Sequence, residues 1–262
     1  MTVNVVLFFR DSFDSRIISN YLHAEGINIS TIVIEKGAKA KRRKLKRIFK
    51  SDNKSLVARV LSIIFLLIYS EYYYFRMKKI IRKTKIKVVG VNEYPNIKRV
   101  DVDDINELAA DSIDFSVSNV DLILVYGTSI LLPVTLNKLS NVPLLNIHTG
   151  VLPTYRNVHS DFWAMYNSDW DNVGVTLFHV NEGIDTGNII ELLKNSEAKN
   201  QSLSEIKAKN LELSCELGLR ACRFNGQRQG VVQHKESGVF FPSPDYKDYW
   251  TLIKRVGLKK LK

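Results

Sequence analysis

Short apolar runs separated by helical patterns decide what this chain can fold into. Val3–Phe9 is almost wholly apolar and reads as a first strand buried on both faces. Ile27–Ile34 is rich in β-branched residues and reads as a second. Between them, Ile17, Ile18, Tyr21 and Leu22 share one helical face, which predicts a helix over Ile17–Ala24 capped by Ser12 or Asp14 and ended by Gly26. A strand–helix–strand unit this short implies a right-handed parallel crossover. The expected class is therefore α/β: an open, mostly parallel twisted sheet with helices on both faces.

The alternation continues. Ile86–Val91, Val120–Tyr126, Val142–Ile147, Val173–Val180 and Asn188–Leu193 read as further strands. Asp103–Glu107 looks like a helix start, with acids at its positive end. A helix is expected over Ile130–Leu139 with Pro133 in its first turn, an aromatic one near His159–Tyr166, and a long one over Leu203–Arg223. In that last helix Ile206, Leu213, Leu217 and Ala221 form the apolar side. The tail after Gly226 contains FFPSPDYKDYW, a Pro-aromatic segment expected to fold back. At 262 residues the chain is divided into a main domain over residues 1–200 and a helix and tail over 201–262 packed on it.

An insertion over residues 36–85, after the second strand, breaks the pattern. Lys36–Lys87 holds eighteen Lys and Arg against Asp52 and Glu71, more than the whole chain's net charge of +11, so the remainder is net acidic. Its apolar core, Leu56–Tyr69, is interrupted by Arg59 and is too short to span a bilayer. Three readings stay open: a helix buried on the sheet beside a solvated basic loop, peripheral contact with an anionic membrane, or nucleic-acid contact, the last the least favoured. Cys215 and Cys222 lie seven apart on one predicted helix, too far for a disulfide, which suggests buried thiols in a reducing compartment. The N-terminus lacks a basic region and cleavage site and reads as a strand, not a signal peptide. The expected location is cytoplasmic, with peripheral contact to the inner membrane face as a variant.

Leu144–Ile190 is where chemistry concentrates. Its first strand delivers Asn146 and His148 to a strand end, where open α/β sheets bind ligands, and Asp185-Thr186-Gly187 closes a later loop. An Asn-x-His at a strand end is common in turns, as is Asp-x-Gly. The ordered set Asn146-Ile147-His148, Leu152-Pro153-Thr154-Tyr155-Arg156 and Asp185-Thr186-Gly187 is more specific, and it resembles the folate-dependent formyltransferase family. One departure is Asn157, where the family usually carries Gly after the Arg; Asn tolerates left-handed backbone better than most residues.

The resemblance implies a Rossmann-like formyltransferase fold, N10-formyltetrahydrofolate as co-substrate, and Asn146, His148 and Asp185 as catalytic residues. The residue types suit that chemistry independently. Formyl transfer to an amine needs a donor at the developing oxyanion and groups that move protons. Asn146 is an uncharged donor, His148 can donate to the oxyanion or accept a proton, and Asp185 can hold the imidazole. By similarity the pterin would lie against Tyr126, Gly127, Ile130, Leu131 and Leu132 and against the loop bearing Asn181, Glu182 and Ile184. Arg10, Ser12, Tyr155, Arg156 and His159 are the acceptor candidates. His179 and His234 read as structural, and no metal-ligand cluster is evident. The absence of a Gly-x-Gly-x-x-Gly or P-loop pattern argues against a dinucleotide or ATP.

The favoured acceptor is an amino sugar, nucleotide- or lipid-linked, of the kind used in bacterial surface polysaccharide. Initiator-tRNA formyltransferases resemble the same core and carry a basic insertion, but also a C-terminal barrel that the residues after Arg223 are too few to build. A non-catalytic folate- or nucleotide-sugar-binding protein is the third reading. A homodimer is expected only from the habit of the family.

Overall fold

The computed structural model describes residues 3–36, 64, 72, 75–81, 96–109, 118–234 and 238–257. The expected strand Ile86–Val91 and nearly all of the insertion, with the membrane and nucleic-acid readings attached to it, lie outside the described residues.

Seven strands form one sheet in the spatial order β3-β2-β1-β4-β5-β7-β8. These are β1 (Asn4–Arg10), β2 (Asn28–Glu35), β3 (Lys98–Val102), β4 (Leu122–Tyr126), β5 (Leu144–His148), β7 (Gly174–His179) and β8 (Ile189–Lys194). Neighbours from β3 to β5 pair in parallel, while β7 runs antiparallel to both β5 and β8. The mostly parallel α/β expectation therefore holds.

Alternation along β1 explains why both faces are covered. Val5, Leu7 and Phe9 join a core with Ile17, Ile18 and Leu22 of α1 (Phe13–Ala24), and with Leu211, Cys215 and Leu217 of the long C-terminal helix. Val6 and Phe8 face the opposite core, with Ile105, Leu108, Leu131 and Leu139. Ser12 caps α1, its hydroxyl accepting the Ser15 amide at 3.2 Å. Residues 75–81 are helical and bury Met77 and Ile81 in the first core, so this end of the insertion packs on the sheet.

Two differences from the sequence reading have clear causes. The third described strand in the sheet is Lys98–Val102, a polar stretch that no apolar run marks as a strand. It sits at the sheet edge, where one flank needs no apolar covering and only Val102 is buried. The helix expected over Ile130–Leu139 is only α2 (Pro133–Lys138). Pro133 takes the first helical position and holds Leu132 extended at ψ 157°, so residues 127–132 stay an open loop at the end of β4.

The remaining elements are β6 (Tyr155–Asn157), α3 (Ser160–Tyr166), α4 (Leu203–Arg223), β9 (Val239–Phe241) and α5 (Tyr246–Val256). Ser202 and Glu205 cap α4 reciprocally, the Ser202 amide donating to Glu205 at 2.7 Å. The tail does fold back: β9 pairs in parallel with β6, and Phe241 stacks on Tyr155 and Trp163 at 5.1 and 5.2 Å. Cys215 and Cys222 are buried free thiols. Among the described residues no helix is long and apolar enough to cross a membrane.

Candidate functional site

β1, β4 and β5 run parallel, so Arg10, Tyr126 and His148 all arrive at one edge of the sheet. Above that edge the loop 127–132, the turn at Asn157–His159 and the β7–β8 connection enclose a cavity of about 810 Å³. Asn146, His148 and Asp185 all line it.

Each of the three is held differently. The His148 Nε2 lies 2.9 Å from the Tyr155 carbonyl oxygen. A carbonyl can only accept, so the proton sits on Nε2 and Nδ1 is left facing Asp185, whose Oδ2 is 3.7 Å away. Behind the ring, a Cβ on Gly150 would come within 2.6 Å of Nε2, so a glycine there lets the imidazole lie flat against the backbone. Asp185 takes a left-handed backbone at φ 53° and accepts the Asn157 amide at 2.7 Å. Asn157 is itself left-handed at φ 74°, and its side chain donates to the Phe241 carbonyl at 2.7 Å. The residue that departs from the family pattern thus adopts the conformation a glycine would, and anchors the tail besides. The Asn146 Oδ1 is buried and has no hydrogen-bond partner, an orphaned acceptor that a substrate N–H would satisfy.

The loop 127–132 forms a second wall. Ile130 and Leu132 are 53 % and 50 % exposed and present apolar surface to the cavity; Leu131 also lines it, but at 5 % exposure it packs mainly into the core below. The loop is fastened from outside. The Asn106 side chain accepts the Leu132 amide at 2.8 Å and donates to the Ile130 carbonyl at 3.0 Å. Buried Glu35 accepts the Ser129 amide at 2.8 Å and pairs with Arg10 at 3.3 Å. An open apolar slot flanked by backbone polar groups can take a flat ring that carries hydrogen-bonding edges. Gly127, Asn181 and Ile184 also line the cavity, and the Asn181 side chain accepts from the Gly183 amide and the Thr186 hydroxyl at 3.1 and 2.8 Å.

Several residues proposed from sequence stand elsewhere. Tyr155 is 3 % exposed and points into the aromatic cluster, its hydroxyl donating to Asp169 at 3.1 Å; burial pushes that phenol up to about 12. Arg156 is buried and donates to Gln233 at 3.2 Å. Neither side chain lines the cavity, because β6 alternates its residues between the cluster and the tail. Glu182 is also absent from the lining, at an exposed position of its loop. Arg10, Ser12, His159 and Tyr126 do line it, although the Ser12 hydroxyl is engaged in capping α1.

Sequence reasoning also missed residues. Gln233, in the tail, donates to the carbonyls of Asp185 and Gly187 at 3.2 and 2.6 Å and so fixes the loop that carries the aspartate. Asp14, Asp161, Lys207 and Asn210 also line the cavity. Asp161 and Lys207 pair at 3.4 Å. Burial pushes the Asp14 carboxyl up to about 6, with the Lys207 ammonium opposing and the Asp161 carboxylate reinforcing the rise. Tyr126 is raised well above an ordinary phenol, by burial first and by Asp14 after it. These residues come from three separated helices, and no local pattern joins them.

Residues 101–220 match the formyl transferase family. A methionyl-tRNA formyltransferase of Clostridioides difficile is 26 % identical over 126 residues, 47 % of this chain and 40 % of that protein. The chain thus spans less than half the length of this curated relative. Among solved structures, a sugar N-formyltransferase from Shewanella superposes with a TM-score of 0.55 at 13 % identity, covering 97 % of this chain and 88 % of that one. The formyltransferase PseJ from Anoxybacillus kamchatkensis, in complex with UDP-4,6-dideoxy-4-formamido-L-AltNAc and tetrahydrofolate, superposes with a TM-score of 0.53 at 15 % identity, covering 99 % and 100 %. A phosphoribosylglycinamide formyltransferase from Anaplasma phagocytophilum gives 0.53 at 16 % identity, covering 92 % and 98 %. At these identities the superpositions establish a shared fold. Residues 101–220 thus carry the match to the formyl transferase family, within a fold that the chain shares with solved formyltransferases.

Proposed function

We propose that this protein transfers a formyl group from N10-formyltetrahydrofolate to the amine of a nucleotide- or lipid-linked amino sugar. The observation that carries the reading is the meeting of Asn146, His148 and Asp185, up to 39 positions apart in the chain, on one cavity. The folate would lie in the slot of Ile130 and Leu132 and supply the activated formyl carbon. Asn146 would donate its amide to the formyl oxygen as charge builds there, while its orphaned Oδ1 receives an N–H of the attacking amine. His148 would take the amine's proton on Nδ1 and pass it to the departing nitrogen, with the Tyr155 carbonyl holding the ring's other nitrogen. Asp185 would stabilise the charged imidazole across a gap now 3.7 Å wide, and its own orientation is fixed by the Asn157 amide.

An amino-sugar acceptor is supported by sugar N-formyltransferases that share the fold over almost the whole chain. A second reading has its own support: the curated relative acts on methionyl-tRNA, and the run Lys36–Lys87 is strongly basic. The two separate in one assay. With N10-formyltetrahydrofolate present, the chain is offered dTDP- and UDP-linked 3-amino and 4-amino sugars, or initiator methionyl-tRNA. The proposal expects tetrahydrofolate release with a sugar and none with the tRNA. Release with the tRNA alone, accompanied by salt-dependent binding, would replace it with the second reading.

A further inference from the structure

We infer that Asp14, Asp161, Lys207 and Asn210 form the acceptor subsite, and that this subsite takes the hydroxylated, ammonium-bearing ring of an amino sugar and rejects a phosphate. The inference rests on the amino-sugar reading above and assigns the residues that would carry it.

Asn210 is the primary observation. It lies on α4, is 1 % exposed and lines the cavity, yet neither its Nδ2 nor its Oδ1 has a hydrogen-bond partner. Buried amides are almost always paired, and leaving one unpaired costs stability. A carboxamide presents a donor and an acceptor side by side, the arrangement that meets a hydroxyl or a pair of neighbouring hydroxyls. The Asn146 Oδ1, unpaired in the same cavity, continues this line of unmet polarity toward the reacting end.

The charges set what else can enter. Asp161 lies in the first turn of α3, accepts its neighbour Phe162's amide at 2.8 Å and pairs with Lys207 at 3.4 Å. The Lys207 ammonium is therefore shared with a carboxylate already in place. Asp14, in the first turn of α1, makes no hydrogen bond or ion pair among the described residues, and it occupies the helix end where an anion would otherwise sit. Two carboxylates against one ammonium repel a phosphate and attract a cation. An ammonium at this place would hold Asp14 ionised, offsetting the burial that now raises it. Among the described residues the carrier's phosphates are left Arg10, which pairs with Glu35 through Nη2 but keeps a buried Nε without a partner.

The test uses the full chain loaded with tetrahydrofolate at pH 7.5. It is titrated with dTDP- and UDP-linked 3-amino and 4-amino sugars and with their hydroxy counterparts. The amino form should bind at least ten-fold tighter than the hydroxy form, and Asp14→Asn should erase that ratio. Asn210→Leu should weaken both forms about ten-fold, with Asn210→Ser as the smaller change should the leucine prevent folding. Thermal melts report folding of each variant. Wild-type affinity for both forms in Asp14→Asn and Asn210→Ser would overturn the subsite while leaving the amino-sugar reading intact. Binding of none of these sugars by the wild type, with formylation of initiator methionyl-tRNA, would overturn both.

Discussion

Gln233 donates its side-chain amide to the backbone carbonyl of Asp185, 48 positions earlier in the chain, and at the same time to that of Gly187. Its own carbonyl accepts from Arg156. The candidate aspartate is therefore positioned by the tail, through a residue that does not itself line the cavity. Gln233→Ala should lower kcat about ten-fold with little change in the folate KM, since it loosens a positioned group without removing a contact to the donor. Steady-state kinetics check this; an unchanged kcat would mean the Asp185 loop holds itself.

Asn157 sits at φ 74°, where a β-branched residue is strained. Asn157→Val should cost about 2 kcal/mol or more, while Asn157→Gly should cost only about 1 kcal/mol, the value of the hydrogen bond to Phe241. Denaturant melts of the two variants give the comparison.

Ile130, Leu131 and Leu132 all line the cavity, but Ile130 and Leu132 are half exposed while Leu131 is buried in the core below. Leu132→Ser should weaken binding of 5-formyltetrahydrofolate several-fold with near wild-type stability, whereas Leu131→Ala should cost about 2–4 kcal/mol of stability. Titration and melts on the same samples separate the roles. Asn106→Ala should resemble Leu132→Ser, because Asn106 secures the loop through the Leu132 amide and the Ile130 carbonyl.

Asp14 carries a carboxyl raised from 3.8 to about 6, so the folded state binds its proton more tightly than the unfolded chain. Whatever stability this provides is fully present below pH 3.8 and is lost as pH rises through about 6. The groups facing it are Lys207 and Asp161. Asp14→Asn should therefore leave stability near pH 4 unchanged and raise it by about 1–2 kcal/mol at pH 8. Melts at the two pH values test the sign. A variant less stable at pH 8 would show that the carboxylate is well paired in the free protein.

How far the sequence led depends on whether a residue's role is local. Helix Leu203–Arg223 was legible to the residue because apolar spacing and the Ser202–Glu205 cap agree. Asn146 and His148 were legible because a strand end is a local place. The edge strand Lys98–Val102 was not, since a strand buried on one flank at most need not look apolar. Tyr155 and Arg156 belong to a legible motif and so read as acceptor candidates, but the pairing of β6 with β9 turns both away from the cavity. Nothing local could have found Gln233, Asp14 or Asn210. Their neighbours in space come from other elements, and only the packing of α1, α3, α4 and the tail around one cavity brings them together.

The most direct test compares the wild type with Asn146→Ala, His148→Ala and Asp185→Asn. Tetrahydrofolate release is followed from N10-formyltetrahydrofolate with a nucleotide-linked amino sugar. The account predicts turnover by the wild type and a loss of about 10²–10³-fold or more in each variant, with 5-formyltetrahydrofolate still bound. Full turnover by His148→Ala or Asp185→Asn, in protein that melts like the wild type, would contradict it.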